Sequence, residues 1–62
     1  MEKNKFREFC KANNLTAAEV AERIGVSKYT VYAYFRGERL PSRRTMKRME
    51  IEFCIDTRRM FG

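Results

Sequence analysis

The stretch Leu15-Thr16-Ala17-Ala18-Glu19-Val20-Ala21-Glu22-Arg23-Ile24-Gly25-Val26-Ser27-Lys28-Tyr29-Thr30-Val31 decides the fold. Thr16 followed three residues later by Glu19 is a capping box: the hydroxyl accepts from the backbone N–H three residues on, and the carboxylate reaches back to the cap's own N–H. A helix therefore starts here. Leu15 stands where a hydrophobic staple partner would, facing Glu19-Val20, and Val20, Ala21 and Ile24 form an inward stripe before Gly25 ends the helix after barely two turns. Ser27 is placed to cap the next helix, which runs to about Phe35 with Gly37 as the left-handed residue past its end. Two short helices with Gly25-Val26-Ser27 between them make a tight helical corner.

On the N-terminal side of this corner, Phe6, Phe9, Cys10 and Asn13 recur at i, i+3, i+4, i+7. That spacing predicts an amphipathic helix from about Glu2 to Ala12, ending at Asn13-Asn14. On the C-terminal side, Arg36-Gly37-Glu38-Arg39-Leu40-Pro41 reads as a loop, and Ser42 caps a fourth helix carrying Met46, Met49 and Phe53. Asp56 is placed to cap a last single turn with Met60 and Phe61. The run Tyr29-Thr30-Val31-Tyr32-Ala33-Tyr34 is rich in β-formers, but the flanking caps and short spacing override that preference. With no repeat, low-complexity run or linker, residues 1–62 read as one all-α domain of four to five helices packed compactly.

Composition narrows the function. A chain of 62 residues buries only about 60% of the surface its unfolded form exposes, so nearly every apolar side chain is needed for the core. A hydrophobic fraction of 44%, with three Tyr and five Phe, excludes a disordered polycation. The net charge of +6 points to an anionic partner, nucleic acid first and an acidic membrane surface second. No membrane-spanning stretch and no apolar signal-peptide core is present, so a cytoplasmic location is expected. Without His, Cys10 and Cys54 make no zinc site, and one pair makes no disulfide framework; both are expected as buried thiols in a reducing compartment. The lack of His, of paired carboxylates in an apolar setting and of a Gly-rich phosphate loop argues against an enzyme, and no cofactor is expected.

A helical corner holds its second helix away from the body, which is what entry into a DNA major groove requires. On that helix Lys28, Tyr29, Tyr32, Ala33 and Arg36 share one face, opposite Val31, Tyr34 and Phe35. Ser27, Lys28, Tyr29, Tyr32 and Ala33 are the candidate base readers. Lys28 can donate to guanine O6/N7, Ala33 and the tyrosine rings can meet a thymine methyl, and the phenols can bond bases or phosphates. No Asn, Gln or Arg lies mid-face, so bidentate adenine readout is not expected. The alternative for Tyr29 and Tyr32 is a core or dimer contact. Arg36, Arg39, Arg43, Arg44, Lys47 and Arg48 crowd together with only Glu38 opposing them. Of these, Arg36, Arg39, Arg43, Arg44 and Lys47 are the candidate phosphate contacts, with Arg48 free to turn away. Arg43 and Arg44 oppose the macrodipole in a first helical turn, a small cost that an anion there would offset.

The quoted stretch, followed by Gly37 and Pro41-Ser42, closely resembles the lambda-repressor-like family, the phage repressor and Cro type of helix-turn-helix. The resemblance extends from about Phe6 to Phe61. It implies a five-helix domain whose third helix reads bases, and a homodimer that can be weak when free, on a pseudo-palindromic operator of double-stranded DNA, acting as a repressor or occasionally an activator. Ala21, Gly25, Val26 and Val31 stand where the family has its close helix packing, its turn and its core. Ala17 replaces a Gln that bonds a DNA phosphate in many members. Cys10 and Phe35 stand where members often pair an Arg with a Glu, so the two are expected to touch in the core. Glu50 occupies a place where the family prefers a small apolar residue. Dimer contacts are expected from the fourth helix and the C-terminal turn. Two other readings compete. One is a protein-interaction module, such as an antitoxin or adaptor, docking through the exposed tyrosines. The other is a membrane-surface peptide, which conflicts with several short helices because such peptides are long single ones.

Overall fold

The computed structural model describes residues 5–61. Among the described residues five helices follow one another: α1 (Lys5–Ala12), α2 (Ala17–Ile24), α3 (Lys28–Arg36), α4 (Arg43–Phe53) and α5 (Thr57–Phe61). The expected start of α1 at Glu2 lies outside the described residues. The β-rich run from Tyr29 to Tyr34 lies wholly within α3. Local preference yields there because caps and buried contacts act on the helix as a unit.

Side-chain caps begin the three central helices. The Glu19 N–H donates to Thr16 Oγ1 at 3.1 Å, and the Thr16 N–H donates to Glu19 Oε1 at 3.0 Å, completing the capping box. Ser27 and Ser42 each accept from the N–H three residues on, both at 3.2 Å. Gly25 and Gly37, both at φ +75°, close α2 and α3 in the left-handed conformation, where a Cβ would be strained. The Gly25 N–H donates to the Ala21 carbonyl at 2.8 Å, so the corner is hydrogen-bonded through. At the end of α1, Asn14 adopts φ 55° and the Asn13 amide donates to the Phe9 carbonyl.

Burial follows the helical stripes. Phe6 and Cys10 of α1, Ala17, Val20, Ala21 and Ile24 of α2, Val31 and Tyr34 of α3, and Met49 of α4 form the core. α2 packs chiefly on α3, α4 rests on α2 and α5, and α1 bridges α3 and α5. The Phe6 ring sits 5.7 Å from Phe35 and 5.2 Å from Phe61, so the short α5 is held by an aromatic cluster as well as by its own cap. That cap is Asp56, whose carboxylate accepts from the Arg58 N–H at 3.1 Å. Thr57 is buried and its hydroxyl donates to Glu50 Oε2 at 2.7 Å. Glu50 therefore keeps its carboxylate at the surface and ties α4 to α5, which is how an acid is accommodated at that place. The Tyr34 hydroxyl, hydrogen-bonded to the Thr45 side chain, links α3 to α4.

The cysteines differ from each other. Cys10 is buried, and desolvation pushes its thiol up to about 11. Cys54, expected to be buried too, is exposed. It is the residue that turns out of α4, with φ 55° and its N–H on the Glu50 carbonyl, and a chain leaving a helix at the surface carries that side chain outward. Among the described residues no helix is long and apolar enough to cross a membrane.

Candidate nucleic-acid interface

The face of α3 turned from the core carries Lys28, Tyr29, Tyr32 and Arg36 exposed, with Ala33 half-buried. Tyr29 is 71% exposed and Tyr32 42%, whereas Tyr34 is the tyrosine of the core. The core alternative for Tyr29 and Tyr32 therefore fails. Their rings stand 6.4 Å apart, and Lys28 Nζ lies 5.8 Å from the centre of the Tyr29 ring. Tyr32 also meets Phe35 edge-on at 6.5 Å, so its ring is anchored on one side while Tyr29 projects outward. A cation and two amphipathic rings side by side on one helix face can stack, donate to acceptors and cover a methyl group. Ser27 stands apart from the other candidates: its oxygen accepts from the Thr30 N–H and lies 3.1 Å from the Thr30 hydroxyl. Its first task is to cap α3.

At the C-terminal end of this face the basic cluster divides. Arg36 pairs with Glu38 at 3.1 Å, which raises the guanidinium pKa and holds the carboxyl below its usual range through a direct hydrogen bond and charge attraction. Arg48 is drawn to Glu52 at 3.4 Å, one turn along α4. Arg39, Arg43, Arg44 and Lys47 are exposed and make no ion pair among the described residues. Glu38, the only acid in the run, is thus engaged by one of its six cations, and four remain without a counter-charge among the described residues at the junction of α3 and α4.

Two further cations border the same face. A notch of about 390 Å³ between α1 and α3 is lined by Cys10, Leu15, Ala17 and Phe35, with the exposed Arg7 and Lys11 beside Tyr32 and Arg36. The positive surface therefore continues on the α1 side of α3. Arg7 and Lys11 were not among the residues read from the sequence. Their one signal there was an i, i+4 spacing on the outer face of the first helix. Cys10 and Phe35 line this notch together, next to the small Ala17.

A short helix, a corner at Gly25 and a second helix with a free polar-aromatic face define a helix-turn-helix protein. A family model described as helix-turn-helix, of the lambda-repressor-like kind, matches residues 6–53, from the core Phe6 to the last residue of α4. The chain belongs to this family of DNA-binding regulators. No curated protein and no solved structure matches it.

Proposed function

We propose that the protein is a sequence-specific transcription regulator of the repressor type, with α3 in the major groove of double-stranded DNA. Ser27, Lys28, Tyr29, Tyr32 and Ala33 read bases; Arg36, Arg39, Arg43, Arg44 and Lys47 hold phosphates. The observation that carries this reading is the exposed Tyr29–Tyr32 pair beside Lys28, set next to four cations that have no carboxylate partner among the described residues. Exposed phenol rings and unpaired like charges both gain from an anionic polymer whose major groove presents hydrogen-bonding base edges and thymine methyl groups. Arg36 can exchange its solvent-exposed Glu38 for a phosphate at little cost, because such pairs contribute little on a surface.

One reading helix covers only a few base pairs, so useful affinity calls for two copies on a pseudo-palindromic operator. Ile51, 70% exposed on α4, is an apolar side chain available for that self-contact. Selection from a pool of random duplexes tests the whole reading. The expected result is an enriched motif of two half-sites about 34–36 Å apart, or a multiple of that. No enrichment at low salt would refute it. The outward projection of Tyr29 favours one other reading, a protein-docking module, which would show no enriched duplex and a partner affinity nearly independent of salt.

A further inference from the structure

Beyond the residues matched by the family model, α5 brings a cation of its own to a groove it shares with the N-terminal half of α4. An open groove of about 520 Å³ lies between the two helices, lined by Arg43, Arg44 and Lys47 from α4 and by Arg58 from α5. Among the described residues the one acid on its walls is Glu50, whose Oε2 already accepts the buried Thr57 hydroxyl at 2.7 Å. None of the four cations makes an ion pair among the described residues. Asp56 meets Arg58 only through the backbone N–H. Like charges converging on a groove with low-dielectric walls concentrate a positive potential inside it.

We propose that this groove seats a backbone phosphate of the bound duplex, and that Arg58 closes the site from the α5 side opposite Arg43 and Lys47. The proposal rests on the DNA-binding reading and adds to it a contact from a helix that the sequence placed in the core and in dimerisation only. Arg43 and Lys47 are one turn apart in the N-terminal half of an eleven-residue helix, so they project along one edge of the groove. The same Arg43, Arg44 and Lys47 continue the cationic surface that begins at the end of α3, which makes the groove an extension of that track. Self-association through this groove is disfavoured. A twofold contact places the same patch on both sides, and here it would face four cations with four more. Met46, half-buried, offers little apolar surface in compensation.

Arg58→Gln and Arg59→Gln remove the same charge from adjacent exposed residues, and only Arg58 lines the groove. Binding of the full chain to its selected operator is measured across a salt series, with melting curves confirming that both variants fold. For Arg58→Gln the slope of log affinity against log salt is expected to fall by about 0.9, with all sequences weakened alike. Arg59→Gln is expected to keep nearly the parental slope, and Arg58→Lys to restore most of it. Equal slopes for the two Gln variants, or an altered dimerisation constant for Arg58→Gln without a change in slope, would overturn the assignment. A parent protein that binds no duplex would overturn the DNA-binding reading and this contact together, an outcome distinct from normal binding with an unchanged Arg58→Gln slope.

Discussion

The Phe6 and Phe35 rings meet at 5.7 Å across the α1–α3 junction, and Phe35 lines the same notch as the buried Cys10. Apolar groups thus stand at both places where the resemblance to the family implies an Arg–Glu pair. Such a replacement is neutral or stabilising when both partners change and costly when one does. Cys10→Arg alone puts a cation at a site only 2% exposed and is expected to cost about 3–5 kcal/mol, close to the whole stability of a small domain. Phe35→Glu alone, at a half-buried site on an open notch, should cost about 1–3 kcal/mol. The double variant should recover much of the loss. Thermal melts of the four proteins give the coupling, and strict additivity would show that the two places do not interact.

Substituting Lys28, Tyr29, Tyr32 or Ala33 singly should relax preference at one base-pair position, by about 1–3 kcal/mol for a side chain that makes a good base interaction, with the melting temperature nearly unchanged. The Tyr29 variant is the cleanest case, because its ring is the most exposed and supports least of the fold. Repeating the site selection with each variant reads the outcome. A uniform loss across all sequences would remove these side chains from base readout.

Neutralising Arg39, Arg43 or Arg44 should weaken specific and non-specific duplexes alike and flatten the log–log salt slope by about 0.9 for every phosphate no longer neutralised. Arg48→Gln is the internal control, since Arg48 is drawn to Glu52. Three unchanged slopes would make the cluster a solvated face.

Local grammar carried most of the fold. Thr16, Ser27 and Ser42 cap helices where their hydroxyls and spacing said they would, and Gly25 and Gly37 take the left-handed conformation that ends two of them. These features depend on neighbours within four residues. Cys54 was misread because the burial of a residue at a helix end depends on where the chain leaves the body, which no local pattern encodes. The candidate site divides along the same line. The Lys28–Tyr29–Tyr32 face follows from helical spacing alone. Arg7 and Lys11 around one notch with Tyr32, and Arg58 around one groove with Arg43, are brought together across helices by tertiary packing. The Arg36–Glu38 pair lay within reach of the sequence, two residues apart, but depends on the turn made at Gly37.

The two thiols should behave differently. Cys54, exposed, is expected to be alkylated quickly in the native protein, and buried Cys10 only on unfolding, so one equivalent of a thiol reagent should react in the fast phase. Cys10 also predicts a pH dependence. Its folded value of about 11 lies above the ordinary 9.0, so the folded state favours the protonated thiol. That contribution is fully present below the ordinary value and is lost as pH rises through the interval between the two. Tyr34, raised by burial, acts in the same direction. Denaturant midpoints should therefore fall through this alkaline range, with a shallower fall in Cys10→Ala. Two fast-reacting thiols at neutral pH would place Cys10 outside the core.

Cys54 ends α4 at φ 55°, a conformation that costs an L-residue about 1–2 kcal/mol and glycine almost nothing. Being exposed, its side chain contributes little packing that a substitution would remove. Cys54→Gly relieves the backbone strain in the folded state, although the freer unfolded chain offsets part of that gain. The expected net stabilisation is about 0.5–1 kcal/mol, which raises the melting temperature of so small a domain by roughly 2–8 °C. Cys54→Ala keeps a Cβ at the strained position and should melt near the parent, separating relief of strain from loss of the thiol. If Cys54→Gly melts no higher than Cys54→Ala, the left-handed turn at this helix end does not limit stability, and the α4–α5 junction is held instead by the Thr57–Glu50 hydrogen bond and the contacts of Phe61.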